Sequence, residues 1–339
     1  MRHDTRATDE LDHDGPLLFA RVLDGKGGAR PIGWREAQDW RPGVPGEMLW
    51  LHLCRTADGV RQWLQEALRI PEPTAELLTS DESRPRAFRE GHVLVATLRG
   101  INFNPGCPPE DMVSLQLWCD GDRLVTLRRL QLQTPRETMA ELDSGHGPKD
   151  AGELVTTLIE RLVTKMNSAI VDMNDEIDRL EALEPEEHDP DGMLVRISTI
   201  RRNCLALQRH MAPQHVALEE ISRDAPDWFE AHDRREIGET IALLRRFLDD
   251  IDISKESAVV LMDELRGRAV AKSERTNYKL TLVASIFLPL SFLTGLLGVN
   301  VGGIPGNAAG EPDAFWVVCG LCLAILAVQL WLFRRWRWL

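Results

Sequence analysis

From Leu280 to Gly310 no residue carries a formal charge, and past a short break holding Glu311 and Asp313 a second such run extends from Ala314 to Phe333. Crossing ~30 Å of hydrocarbon takes ~20 predominantly apolar residues, and no soluble core of this size needs two such runs back to back. A purely soluble protein is therefore excluded. The average composition, 43% hydrophobic and 27% charged over 339 residues, hides this, because it is that of an ordinary globular chain with room for two domains.

The charge is distributed to match. The whole chain carries -13, which argues against nucleic acid as a partner, since phosphate binders present a basic face. From Arg266 onward eight basic residues outnumber three acidic ones, leaving 32 basic and 50 acidic residues in the rest of the chain. Lys279 and its neighbours precede the first run, and Arg334, Arg335 and Arg337 follow the second. By the positive-inside rule both termini face the cytoplasm and the stretch between the runs faces outward, giving a multi-pass membrane protein in contact with lipid. Met1 to Glu10 has no apolar core and does not read as a secretory signal. Trp316 near the outer edge of the second run and Trp331, Trp336 and Trp338 at its inner edge suit the two interfaces.

The expected organisation follows from pattern and punctuation. Residues 1–15 are polar and read as a disordered start. Residues 16–150 read as a mixed α/β cytoplasmic domain, with strands around Leu17–Leu23, Met48–Leu53, His92–Leu98, Met112–Trp118 and Arg123–Thr126, and a hairpin signal at Asp120-Gly121. Residues 151–235 form a helical hairpin. Its first arm carries Val155, Leu158, Leu162, Met166, Ile170, Met173, Ile177 and Leu180 on one seam, Pro185 to Gly192 breaks it, and Pro213 marks a kink or interruption in the second arm. A stalk helix over 236–279, with Ile237, Ile241, Leu244, Leu248, Ile251, Ala258, Met262 and Leu265 inward, meets no proline until Pro289 and so continues into the first span at 280–299. An outer loop at 300–313, a second span at 314–333 and a basic tail at 334–339 complete the chain.

Enzyme chemistry finds no foothold. None of the nine His forms a His-x-x-x-His or His-Glu-x-x-His pair, and Gly25-Lys26-Gly27-Gly28 lacks phosphate-loop spacing and reads as a turn. Cys319 and Cys322 fall mid-span with no second ligand pair and suit helix packing rather than zinc or a disulfide. The acidic stretch from Asp172 to Asp191 lacks the ligand spacing and central Gly of a calcium loop, and reads as a solvated face at the hairpin tip that would concentrate cations.

The first span is the informative segment. Asn277, Leu280, Ala284, Leu288, Ser291, Gly295 and Gly298 recur at steps of three and four, placing small, polar and moderately apolar groups on one stripe. Repeated around a symmetric oligomer, such a stripe would line a pore with hydrophobic constrictions at Leu280 or Leu288 and polar steps at Asn277 and Ser291. Two spans cannot enclose a solute path alone, so a transport function requires an oligomer. At the outer end stands Gly298-Val299-Asn300, followed by Val301-Gly302-Gly303-Ile304-Pro305-Gly306. The whole arrangement resembles the CorA superfamily of divalent cation transporters, whose signature is Gly-Met-Asn, and so does the segment Ile286 to Gly295. Val299 in place of Met, with the glycines after it, is similar to the ZntB zinc transporter branch. Leu23 to Gly28, Trp50 to Leu53, Glu82 to Arg86 and Met211 to Gln214 are similar to segments of the same branch.

The resemblance implies a funnel-shaped homopentamer in which α/β cytoplasmic domains continue through long helices into a two-span α-helical membrane domain. It implies no enzyme activity, no permanently bound cofactor, and Zn2+ as the transported ion, with other divalent cations and proton coupling left open. Gly298, Val299 and Asn300 would form the selectivity mouth, where amide oxygens meet the ion's hydration shell, and Glu311 and Asp313 would attract cations to it. A magnesium or cobalt channel of the same superfamily is one alternative. A membrane-anchored sensor or adaptor is the other.

Overall fold

The computed structural model describes residues 16–82, 84–183, 189–298 and 314–335. They fall into two compact units divided between Met262 and Asp263.

The first unit is built on a seven-stranded sheet. Its strands are β1 (Leu17–Leu23), β2 (Ala29–Pro31), β3 (Met48–Cys54), β4 (Arg86–Glu90), β5 (Val93–Gly100), β6 (Val113–Cys119) and β7 (Arg123–Arg128). They lie in the order β2-β1-β3-β7-β6-β5-β4. Neighbours are antiparallel except β3 and β7, which run parallel with Leu49 opposite Arg123 and Leu53 opposite Leu127. The expected hairpin joins β6 to β7, with Gly121 at φ 97 and the Asp120 carboxylate accepting from Asp122 N and Arg123 N. Glycine suits this turn because it takes a positive φ without a steric penalty. Both faces of the sheet are covered, so β3, β6 and β7 are near-continuously buried rather than alternating.

On one face α1 (Trp34–Gln38), α2 (Val60–Glu66) and α3 (Glu72–Thr79) join Leu49, Leu51, Leu53, Val125 and Leu127 in one core. On the other face lie α4 (Gln133–Asp143), α5 (Ala151–Thr164) and α7 (Pro190–Arg223). Gly100 of β5 is pressed so closely by Leu162 of α5 that a Cβ would meet its Cδ2 at 2.7 Å. The shortest strand, β2, and the half-exposed edge strand β4 escape sequence patterning, as does α4.

The first arm of the hairpin divides into α5 and α6 (Met166–Ala182) at Lys165, which keeps helical dihedrals. Every residue of its expected seam is buried. Asp150 caps α5 by accepting from Glu153 N, and Asp189 caps α7 ahead of Pro190. Of the kink or interruption expected at Pro213, the interruption does not occur, and α7 runs through it. There Gln214 clamps the β5 backbone, accepting from Arg99 N at 2.6 Å and donating to Arg99 O at 3.1 Å, while Met211, Ala217 and Leu218 are buried. Packing outweighs the local cost of the proline.

The last helix of this unit is the start of α8 (Ala231–Leu297). Its buried residues in this unit are Asp233, Ile237, Thr240, Leu244, Phe247, Ile251, Ser254, Ala258 and Leu261, spaced by strictly alternating steps of four and three. Ile241, Leu248 and Met262 from the expected seam are half-buried beside it. The seam follows a heptad, and of its polar members Ser254 donates through Oγ to Asn174 Oδ1 of α6 at 2.5 Å.

Candidate functional site

The second unit contains the remainder of α8 and α9 (Ala314–Arg335). Among the described residues, α8 holds an apolar stretch long enough to cross a membrane, and α9 runs 22 residues with no charge before Arg334 and Arg335. Helices satisfy their backbone groups internally, as hydrocarbon demands, except where a proline such as Pro289 of α8 removes a donor. The hydroxyls of the apolar part of α8 follow the same logic. Thr281 donates to Asn277 O at 2.8 Å, Ser285 to Thr281 O at 2.7 Å and Thr294 to Leu290 O at 3.0 Å.

Two faces of α8 can be told apart. Leu282, Ser285, Ile286, Leu290 and Leu293 are half-buried. On α9, Cys319, Cys322, Leu326, Gln329 and Phe333 recur at alternating steps of three and four on a half-buried seam that Ile325 and Leu332 flank. A hydrogen bond joins the two seams, Gln329 Nε2 donating to Ser285 O at 3.2 Å. Cys319 and Cys322 are free thiols on this seam.

Asn277, Leu280, Ala284, Leu288, Ser291, Gly295 and Gly298 are all exposed, Leu288 to 74%. At ~100° per residue they cluster around a direction roughly opposite the half-buried seam. The structure thus brings together the described members of the expected pore stripe on one open face. The helix ends at Leu297, and Gly298 N still donates to Thr294 O at 2.9 Å. Val299, Asn300, Glu311 and Asp313 lie outside the described residues.

The CorA-like Mg2+ transporter protein family model matches residues 45–335. The chain belongs to this family. A divalent cation transporter, CmaX of Pseudomonas aeruginosa, is 36% identical over 95% of this chain and 97% of its own length. The zinc transport protein ZntB of Pectobacterium atrosepticum is 33% identical over 97% of this chain and 98% of its own. The structure of full-length CmaX superposes with a TM-score of 0.84 at 34% identity, covering 97% of this chain and 100% of that one. The protein is therefore a divalent cation transporter and not an enzyme, and its α/β domain with a long C-terminal helix is the fold of its relatives.

Within this CorA-family transporter the other candidate groups have structural work. Among the described residues, no three His, Cys, Asp or Glu side chains gather to hold a metal ion. Of the acidic stretch, Glu176 pairs with Arg196 and Asp189 caps α7, while residues 184–188 lie outside the described set. His52 is buried, its Nδ1 2.8 Å from Thr126 Oγ1, which also accepts from Trp50 Nε1 at 2.9 Å. Burial, reinforced by the Arg128 charge, holds this imidazole well below its ordinary pKa. The Asp24 carboxylate accepts from Lys26 N and Gly28 N, so the Gly-rich segment is a turn. Gln329 is a polar residue of this seam that periodicity does not single out, although it is the one side-chain amide in the uncharged run from Ala314 to Phe333.

Proposed function

We propose that this protein is a zinc(II) transporter of the inner membrane. Five copies surround a central path lined by Asn277, Leu280, Ala284, Leu288, Ser291 and Gly295 of each α8. α9 forms the second span, on the lipid side, and both termini are cytoplasmic. The outer mouth is made by Gly298, Val299 and Asn300, with Glu311 and Asp313 raising the local cation concentration. The observation that carries this is the exposure of the stripe on the face of α8 opposite the Gln329 and Ser285 seam. A face of Leu, Ala, Ser and Gly left open in one chain suits close packing of identical helices about an axis.

Zinc is supported by the ZntB relative and by Val299 in the signature. Wild-type protein in liposomes, offered zinc, magnesium or cobalt with and without a proton gradient, tests the proposal. Zinc flux should exceed the other two; magnesium flux above zinc would overturn the ion assignment. Asn300→Ala should abolish flux with the oligomer intact, whereas a sensor or adaptor would tolerate it.

A further inference from the structure

Pro289 stands inside α8. Proline has no backbone N–H, so the carbonyl four residues earlier, that of Ser285, loses its intrahelical donor. In hydrocarbon bulk water does not replace that donor, and a polar side chain of a neighbouring helix can. Gln329 of α9 supplies it, its Nε2 lying 3.2 Å from this very oxygen. The orientation of the amide is fixed by its partner, since a carbonyl only accepts. The Ser285 hydroxyl is engaged elsewhere, on Thr281 O. Gln329 is also the only amide, and with Cys319 and Cys322 one of few polar groups, between Trp316 and Phe333.

We propose that Gln329 is a positioning residue for ion passage. By closing the hydrogen bond that Pro289 opens, it holds the turn of α8 from Ser285 to Pro289. Leu288 lies within that turn and Ser291 just beyond it, both on the open stripe. Loss of the amide frees the turn to unwind or tilt and displaces both. This role rests on the transporting stripe proposed above.

A double-mutant cycle on the full-length protein tests it, using Gln329→Met, which removes the donor at similar volume, and Pro289→Ala, which restores the backbone N–H to Ser285. Zinc flux in liposomes and the thermal midpoint of the detergent-solubilised oligomer are the readouts. Gln329→Met alone should lower both, with a several-fold loss of flux; in the Pro289→Ala background it should change neither. Equal effects in the two backgrounds overturn the proposal, as does no effect in the native one. Hydrogen exchange on Gln329→Met alone supplies a measurement that does not depend on Pro289→Ala assembling. Faster exchange should be confined to the amides of 286–293, and a uniform change or none overturns the proposal. Absence of flux in the wild type sinks the transporting stripe instead, and the thermal cycle and exchange then still judge the hydrogen bond.

Discussion

Gly152 of α5 makes room for the carboxylate of Asp233 in α8: a Cβ on Gly152 would sit 2.0 Å from Asp233 Oδ2. That oxygen accepts from Glu230 N at 2.8 Å, just ahead of α8, and Asp233 is fully buried. The glycine thus lets a capping carboxylate dock where the heptad of α8 begins. Gly152→Ala should cost about 1–3 kcal/mol by overpacking. Gly238, in the same helix, has nothing within 4 Å of its would-be Cβ. Gly238→Ala should stabilise by up to about 1 kcal/mol through helix propensity. Thermal midpoints of the two variants should move in opposite directions, and a Gly152→Ala midpoint at or above wild type would contradict the docking.

His210 gives the fold a measurable pH dependence. Burial, with the Arg99 and Arg209 charges acting in the same direction against Asp111, pushes its pKa from 6.5 to about 4. The folded imidazole therefore resists a proton that the unfolded one accepts. Its contribution is complete above the unfolded value and is lost as the pH falls from about 6.5 toward 4. Asp233 acts oppositely, because burial raises its pKa and the folded state prefers the protonated form. The buried His52 shares the sign of His210. Comparing wild type with His210→Gln isolates the one group. The variant should lose less stability between pH 6.5 and 4, and parallel stability curves would remove His210 from the account.

The stalk seam makes a sharper packing prediction than hydrophobicity alone. Leu244 is fully buried in the heptad, whereas Val260, equally apolar by type, is 62% exposed. Leu244→Ala should cost about 2–5 kcal/mol. Val260→Ala should stay within about 0.5 kcal/mol, as surface changes do. Chemical unfolding of the two variants would show whether the seam is placed correctly, and equal losses would displace it.

Legibility in the sequence followed the strength of the physical constraint. The arm from Val155 to Leu180 was readable because a single apolar seam is what a helix against one partner requires, and the structure buries all of it. The stalk was readable as a helix but its face was mis-set. Thr240 and Ser254 occupy buried heptad positions that an apolar pattern skips, and Phe247 and Leu261 are buried while their apolar neighbours Leu248 and Met262 are only half-buried. β4, Arg86–Glu90, was missed because its charged, half-exposed edge position imposes no alternation. The continuity of α7 through Pro213 is not legible locally, because it depends on Gln214 anchoring the helix to β5. On α8 the spacing of Asn277, Leu280, Ala284, Leu288, Ser291 and Gly295 is legible in the sequence, and these residues share one exposed face. The pairing of Gln329 with the carbonyl freed by Pro289 is not legible there, since it joins residues 44 apart and depends on the register of two helices.

Leu288 offers the most direct probe of the open stripe. Within the proposed path, a ring of five such side chains forms a dry constriction that hydrated ions cross only when it widens. Leu288→Ser should lower that barrier and raise resting flux, while stability changes little because the side chain is 74% exposed in the chain. Phe287 is the control, since it is 63% exposed but one residue, or ~100°, around the helix. Phe287→Leu should leave flux near that of the wild type. The comparison is read in liposomes as zinc uptake per assembled oligomer. Raised flux from Leu288→Ser with none from Phe287→Leu is the expected pattern; no change from Leu288→Ser would place the constriction elsewhere on α8.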